Sequence, residues 1–160
     1  MEILSGSIMS ISNQYVEDFS RILDYSIEVP IELQSCIIGR FSLFSINFHK
    51  RMVIRNCIID QLEIYTTFFE KGLLFDGNII LADSVIEASG HNMATLQLSS
   101  NIFGGFLRVF DCQFDSEVVI EGNIFRQGTN ILTKENPVFD NRFDGGCRIC
   151  NNVGKLDVWK

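Results

Sequence analysis

The chain has 160 residues, with 13 Lys+Arg against 20 Asp+Glu for a formal charge of −7, and 46% of its residues are apolar. That length and apolar content suit a single cored domain. The acidic balance argues against general binding to nucleic acid or anionic membrane, both of which need basic surface, and no run of about 18 apolar residues is present to span a bilayer.

The opening Met1-Glu2-Ile3-Leu4-Ser5-Gly6 lacks the basic flank and apolar stretch of an export signal. The five cysteines are therefore expected as reduced thiols in a cytoplasm. Residues 1–24 are expected to form an N-terminal cap. Within it, Ser12–Asp24 predicts a helix: Ser12 suits the N-cap, Glu17 and Asp18 the positive dipole end, and Tyr15, Phe19, Ile22 and Leu23 one apolar face. Laid over the first coil, such a helix would cover an open strand edge.

From Tyr25 onward a short unit recurs: Cys, Asn or another small residue, then any residue, then Ile or Phe. It is clearest at Cys36-Ile37-Ile38, Cys57-Ile58-Ile59, Asn78-Ile79-Ile80, Asn101-Ile102-Phe103, Cys112-Gln113-Phe114, Asn123-Ile124-Phe125, Asn141-Arg142-Phe143 and Asn151-Asn152-Val153. Weaker copies start at Tyr25, Ile46, Thr67 and His91, and apolar pairs two apart follow, such as Phe41/Leu43, Leu73/Phe75 and Val118/Ile120. Most starts lie 10 or 11 residues apart, so alternate starts are 21 to 24 apart. Period-two alternation marks strands, and strands recurring at a fixed interval mark a solenoid. The fold class read from this is all-β: a right-handed parallel β-helix over residues 25–160, with about six coils of 21–24 residues stacked roughly 4.8 Å apart. Two units are longer than the rest. Their surplus falls around Ala82-Asp83-Ser84 and at 133–140, where Thr133-Lys134-Glu135-Asn136-Pro137 has loop chemistry and predicts an insertion.

Stacking equivalent positions turns the sequence into columns. Third positions read Ile38, Ile59, Ile80, Phe103, Phe125, Val153 on one side and Ile27, Phe48, Phe69, Met93, Phe114, Phe143 on the other, and both are expected inside. First positions read Cys36, Cys57, Asn78, Asn101, Asn123, Asn151, so amide side chains can pass hydrogen bonds from coil to coil. Second positions Ile37, Ile58, Ile79, Ile102 and Ile124 point outward by parity. A second outward column reads Phe44, Tyr65, Ser89, Phe110, Leu132, with Phe106 nearby. A contiguous apolar stripe several coils tall points to an interface with a protein partner or a second copy, unless the bend or residues 1–24 cover it.

Catalytic and metal chemistry is weakly represented. Cys147-Arg148-Ile149-Cys150 has C-x-x-C spacing, but parity sends the two thiols to opposite faces and no second ligand pair completes a structural zinc site. Cys36 and Cys57 stack on adjacent coils as buried thiols. His49-Lys50-Arg51 with Arg55 forms a basic corner, His91 a packing or capping residue, and Asp76, Asp111, Asp115, Glu117 and Glu121 scattered outward carboxylates. No nucleophile-elbow, P-loop or zincin pattern occurs, so no catalytic residue, metal or cofactor is assigned.

The Cys/Asn-x-Phe/Ile units at 36, 57, 78, 101, 112 and 123 resemble those of degenerate pentapeptide-repeat proteins and related right-handed β-helix proteins, over about residues 25–158. Pentapeptide repeats advance 20 residues per coil, and these coils are longer. The resemblance implies the solenoid and carries no functional residue. Its functional implications are two: an acidic mimic of duplex DNA that occupies an enzyme such as a topoisomerase, and a small carbohydrate-active β-helix enzyme. The residues themselves favour a non-catalytic interaction or scaffold module that binds through Ile37, Phe44, Ile58, Tyr65, Ile79, Ile102, Phe106, Phe110 and Ile124.

Overall fold

Alternating sequences of this kind can bury one face only by stacking on copies of themselves, and the chain does so. A computed structural model describes residues 7–160. Met1–Gly6, the start of the expected 1–24 cap and the stretch read for export, lie outside the described residues. The fold is an all-β right-handed parallel β-helix of about five turns, almost without helix. The six coils counted from the repeats include end units that lack a neighbour on one side.

Three walls form the coil. The first stacks Met9–Ser12, Ile31–Gln34, Met52–Arg55, Leu73–Asp76, Leu96–Ser99, Val118–Glu121 and Cys147–Cys150, all parallel and in register. The second begins with Tyr15–Asp18, Ile37–Phe44 and Ile58–Tyr65. It then divides into a short ladder, Ile79–Ile80, Ile102–Phe103, Ile124–Phe125, and a neighbouring pair, Ser84–Glu87 and Leu107–Phe110. The division follows from one extra residue: Ile79 pairs with Ile58, 21 residues back, whereas Val85 pairs with Glu63, 22 back. The third wall is made of two-residue strands, Ser26–Ile27, Asn47–Phe48, Phe68–Phe69, then Gln113–Phe114 and Arg142–Phe143, with Gly90 bridging the two groups.

Inward side chains form ladders of their own. Phe48 stacks on Phe69 at 5.4 Å, Phe103 on Phe125 at 5.1 Å, and Phe114 on Phe143 at 5.1 Å. Each such buried ring contributes on the order of 1.5–3 kcal/mol through surface removed from water. At the corner between the first two walls the amide relay is present. Asn101 Oδ1 accepts from the backbone N–H and Nδ2 of Asn78, and Asn123 Oδ1 accepts from the same groups of Asn101. Each Nδ2 also donates to a carbonyl of the first wall, so buried amides and backbone are satisfied together.

The structure corrects the sequence reading at three places. The Ser12–Asp24 helix is absent. Tyr15–Asp18 is instead a strand paired with Ile37–Arg40, followed by a single 3-10 turn, Phe19–Ile22, capped by Asp18. Phe19 stacks on Phe41 at 5.1 Å, which holds the segment as part of the first coil. Met93 is exposed rather than interior, because the fourth unit of the third wall starts at Ser89 and not His91. Ser89 is accordingly buried, accepting from the Thr67 N–H and donating to the Glu87 carbonyl. The last unit starts at Asn152, whose Oδ1 caps Asn123. This one-residue slip turns Val153 outward.

Candidate functional site

The outward second positions form one unbroken column. Tyr15 pairs with Ile37, Ile37 with Ile58, Ile58 with Ile79, Ile79 with Ile102, Ile102 with Ile124, and Ile124 bridges to Val153. Seven apolar side chains therefore stand one above another. Tyr15 is 67% exposed, Ile37 53% and Val153 62%, with Ile58, Ile79 and Ile124 each at 38% and Ile102 half-buried. Exposure is greatest at the two ends and at Ile37, and lowest at the middle rungs. The residues that turn the chain into this wall, Asn13, Ser35, Asn56, Gly77, Ser100, Gly122 and Asn151, all adopt positive φ. Small or amide residues tolerate that conformation, and they leave the column unshielded on that side.

The second stripe behaves differently. Phe44 pairs with Tyr65, their rings 6.1 Å apart, but Tyr65 pairs with Glu87, which in turn pairs with Phe110. A carboxylate, not Ser89, thus interrupts the aromatic run. Beyond Phe110 the next ring is Phe139, stacked at 5.2 Å and locked by a bond from the Asp111 N–H to the Phe139 carbonyl. Leu132, expected in this column, is half-buried and bonds to Leu156. Phe106 is 6% exposed, with the Lys160 ammonium 5.4 Å above its ring, and so is not part of the open surface. Phe139 was missed because the insertion at 133–140 breaks the count. Its signal is that it lies two residues before Asn141, as Phe110 lies two before Cys112.

Polar groups are largely occupied by one another. His49 is bound by Glu70 at 2.9 Å and Ser26 at 3.0 Å, with Glu28 at 3.4 Å, and Arg55 meets Asp76 at 3.4 Å. Two members of the expected basic corner are therefore paired, while Lys50 and Arg51 are exposed with no ion-pair partner among the described residues. The hydrogen bonds from His49 and Asn47 hold the Glu70 carboxyl below the usual carboxylate range. Glu117 and Glu121 both face Arg148, and Asp115 faces His91. Asp111 is exposed, its backbone tied to Phe139. Among the described residues no group of three or more His, Cys, Asp or Glu is placed to hold a metal ion. All five cysteines are free thiols. Cys36, Cys57 and Cys112 are buried, and burial pushes the Cys57 thiol up to about 11 and the Cys112 thiol up to about 12. Cys147 and Cys150 lie in one strand, where Cys147 packs against the core.

A cleft of about 340 Å³ opens on the third wall between Phe68, His91, Arg142 and the Pro137-Val138 turn. Of its polar lining, Arg142 bonds to Gln113, and His91 bonds to Asp115 beside the cleft. No helix among the described residues is long and apolar enough to cross a membrane.

No family model, curated protein or solved structure matches the chain. Fold and surface together define a parallel β-solenoid that displays an apolar column on one wall.

Proposed function

We propose that the protein is a non-catalytic interaction or scaffold module whose working surface is the apolar column Tyr15-Ile37-Ile58-Ile79-Ile102-Ile124-Val153. The observation that supports this most strongly is continuity. Scattered exposed aliphatics are ordinary, whereas seven in register, with no polar residue among them, expose to water a strip the fold does not need. Phe44 with Tyr65 extends the strip at the far edge of the same wall. The resemblance to pentapeptide-repeat proteins fits a binding rather than a catalytic role. A duplex-like acidic track is less favoured, because Glu63, Asp76, Glu117 and Glu121 each lie beside an arginine.

A photo-crosslinking residue at Ile79, compared with one at Glu32 on the first wall, tests this reading in the native host cell. Products of defined mass from position 79 and none from position 32 are expected. Equal labelling at both positions, or none at position 79, rejects it.

A further inference from the structure

The column reads nearly the same in both directions. Ile79 is its centre, Ile58 and Ile102 lie one rung away, Ile37 and Ile124 two, and the terminal rungs are Tyr15 and Val153. A two-fold axis lying in the wall and crossing the solenoid at Ile79 would therefore lay the column, inverted, onto an equivalent column. That self-complementarity is what an isologous interface requires. Branched side chains repeated at strand spacing also interdigitate well with their own kind.

The flanking residues are antisymmetric in charge. Two positions after each rung stand Glu17, Gly39, Asp60, Leu81, Gly104, Arg126 and Lys155. The acids accompany the early rungs, the bases the late ones, and Leu81, 53% exposed, the centre. Inversion about Ile79 brings Glu17 opposite Lys155, Arg126 opposite Gly39 and within one rung of Asp60, and Leu81 opposite itself. Glu17, Asp60, Arg126 and Lys155 are all exposed, and none has an ion-pair partner among the described residues, whereas Arg40, Arg55 and Arg148 each meet a carboxylate of their own chain. A side-by-side arrangement with both solenoids pointing the same way would set these charges against the other copy's corner residues and leave them unmatched. The wall is about 29 Å tall and about 26 Å across, so it presents roughly 750 Å², comparable with one side of a standard interface.

Building on the reading of the column as an interface, we propose that its partner is a second copy of this chain, packed antiparallel so that Ile79 meets Ile79 and Glu17 meets Lys155. Sedimentation across a concentration series should show a species of twice the 18.2 kDa chain mass. Ile79→Lys should abolish it. Lys155→Glu should weaken association about tenfold or more, and adding Glu17→Lys should restore most of the loss. Circular dichroism of each variant checks that the solenoid is intact. Direction is read by oxidative crosslinking in a Cys147→Ser/Cys150→Ser background. Ile79→Cys should crosslink to itself, Ile37→Cys should not, and a mixture of Ile37→Cys with Ile124→Cys should. A strict monomer at every concentration, efficient self-crosslinking of Ile37→Cys, or failure of the double charge reversal to rescue would each overturn the proposal. If the protein is monomeric yet position 79 photo-crosslinks to a different protein, the second copy is rejected and the interface reading stands. If position 79 yields no product at all, both fall.

Discussion

Two outward columns of this solenoid share one geometry and differ in chemistry. At the end of the first wall, Gln34, Arg55, Asp76, Ser99 and Glu121 stack in register, and the column neutralises itself: Arg55 reaches Asp76, and Asp76 accepts from Ser99 at 2.8 Å. A few residues later, across the corner, stand Ile37, Ile58, Ile79, Ile102 and Ile124. The coil constrains only what points inward, so the contrast between the two outer columns does not arise from the demands of folding. The paired column is what water allows, and the apolar one is what water penalises.

The sharpest way to break that contrast is to compare adjacent residues on opposite faces. Asn101→Leu removes the acceptor of two Asn78 donors and strands buried N–H groups, at an expected cost of about 2–4 kcal/mol in denaturant unfolding. Its neighbour Ile102, changed to Lys, should cost less than about 1 kcal/mol. If the two changes cost the same, the outer column contributes to the fold after all. A smaller effect is expected on the first wall, where Arg55→Gln should change stability by about 0–1 kcal/mol, as exposed ion pairs do.

Thiol chemistry extends the comparison to depth. With Cys57 pushed to about 11 and Cys112 to about 12 by burial, neither forms thiolate at neutral pH. Alkylation of the native protein at pH 8 should spare both, and labelling of either before unfolding would contradict the packing. The smallest signal is in acid. The folded-state pKa of Glu70 lies below its unfolded value, so its contribution is present above the ordinary carboxylate range, about pH 4, and is lost as the pH falls through that range and below. Glu70→Gln should therefore lower the neutral plateau slightly, with the difference from the native chain closing as the pH falls below the carboxylate range, so that the acid limb is flatter.

Most of the coil was legible in sequence because the Cys/Asn-x-Ile/Phe unit repeats at nearly constant spacing. Legibility failed where the spacing changed. At the fourth unit of the third wall the true start, Ser89, follows Ala88, and at the last coil the true start, Asn152, follows Asn151. Both preceding residues have positive φ, as do Ser35, Asn56, Gly77, Ser100 and Gly122 before the regular starts. That column of left-handed corners is the missing ruler at the last coil, where Asn151 marks the turn before Asn152. On the third wall the corner is Ala88, and Gly90, also at positive φ, stands before His91, so corner composition does not reveal Ser89 as the start. Tyr15–Asp18 failed for another reason. Its amphipathic pattern fits one helical face, but pairing with Ile37–Arg40 satisfies its backbone along a waiting strand edge, and tertiary contact overrides local pattern. The apolar column itself was legible in its five isoleucines, and its ends, Tyr15 and Val153, were lost to the misread helix and to the slip at the last coil.

The amide relay has a mechanical consequence. Its bonds all run one way, each coil's buried N–H being held by the side chain of the coil above, from Cys57 on Asn78 through to Asn123 on Asn152. Under tension applied at the C-terminus, Asn152 leaves first, uncapping Asn123, whose departure in turn exposes Asn101. The rod should yield as a row of small rips travelling toward the N-terminus, each shedding one coil's length and the first the longest because it carries the 133–140 insertion, rather than as a single rupture of the whole.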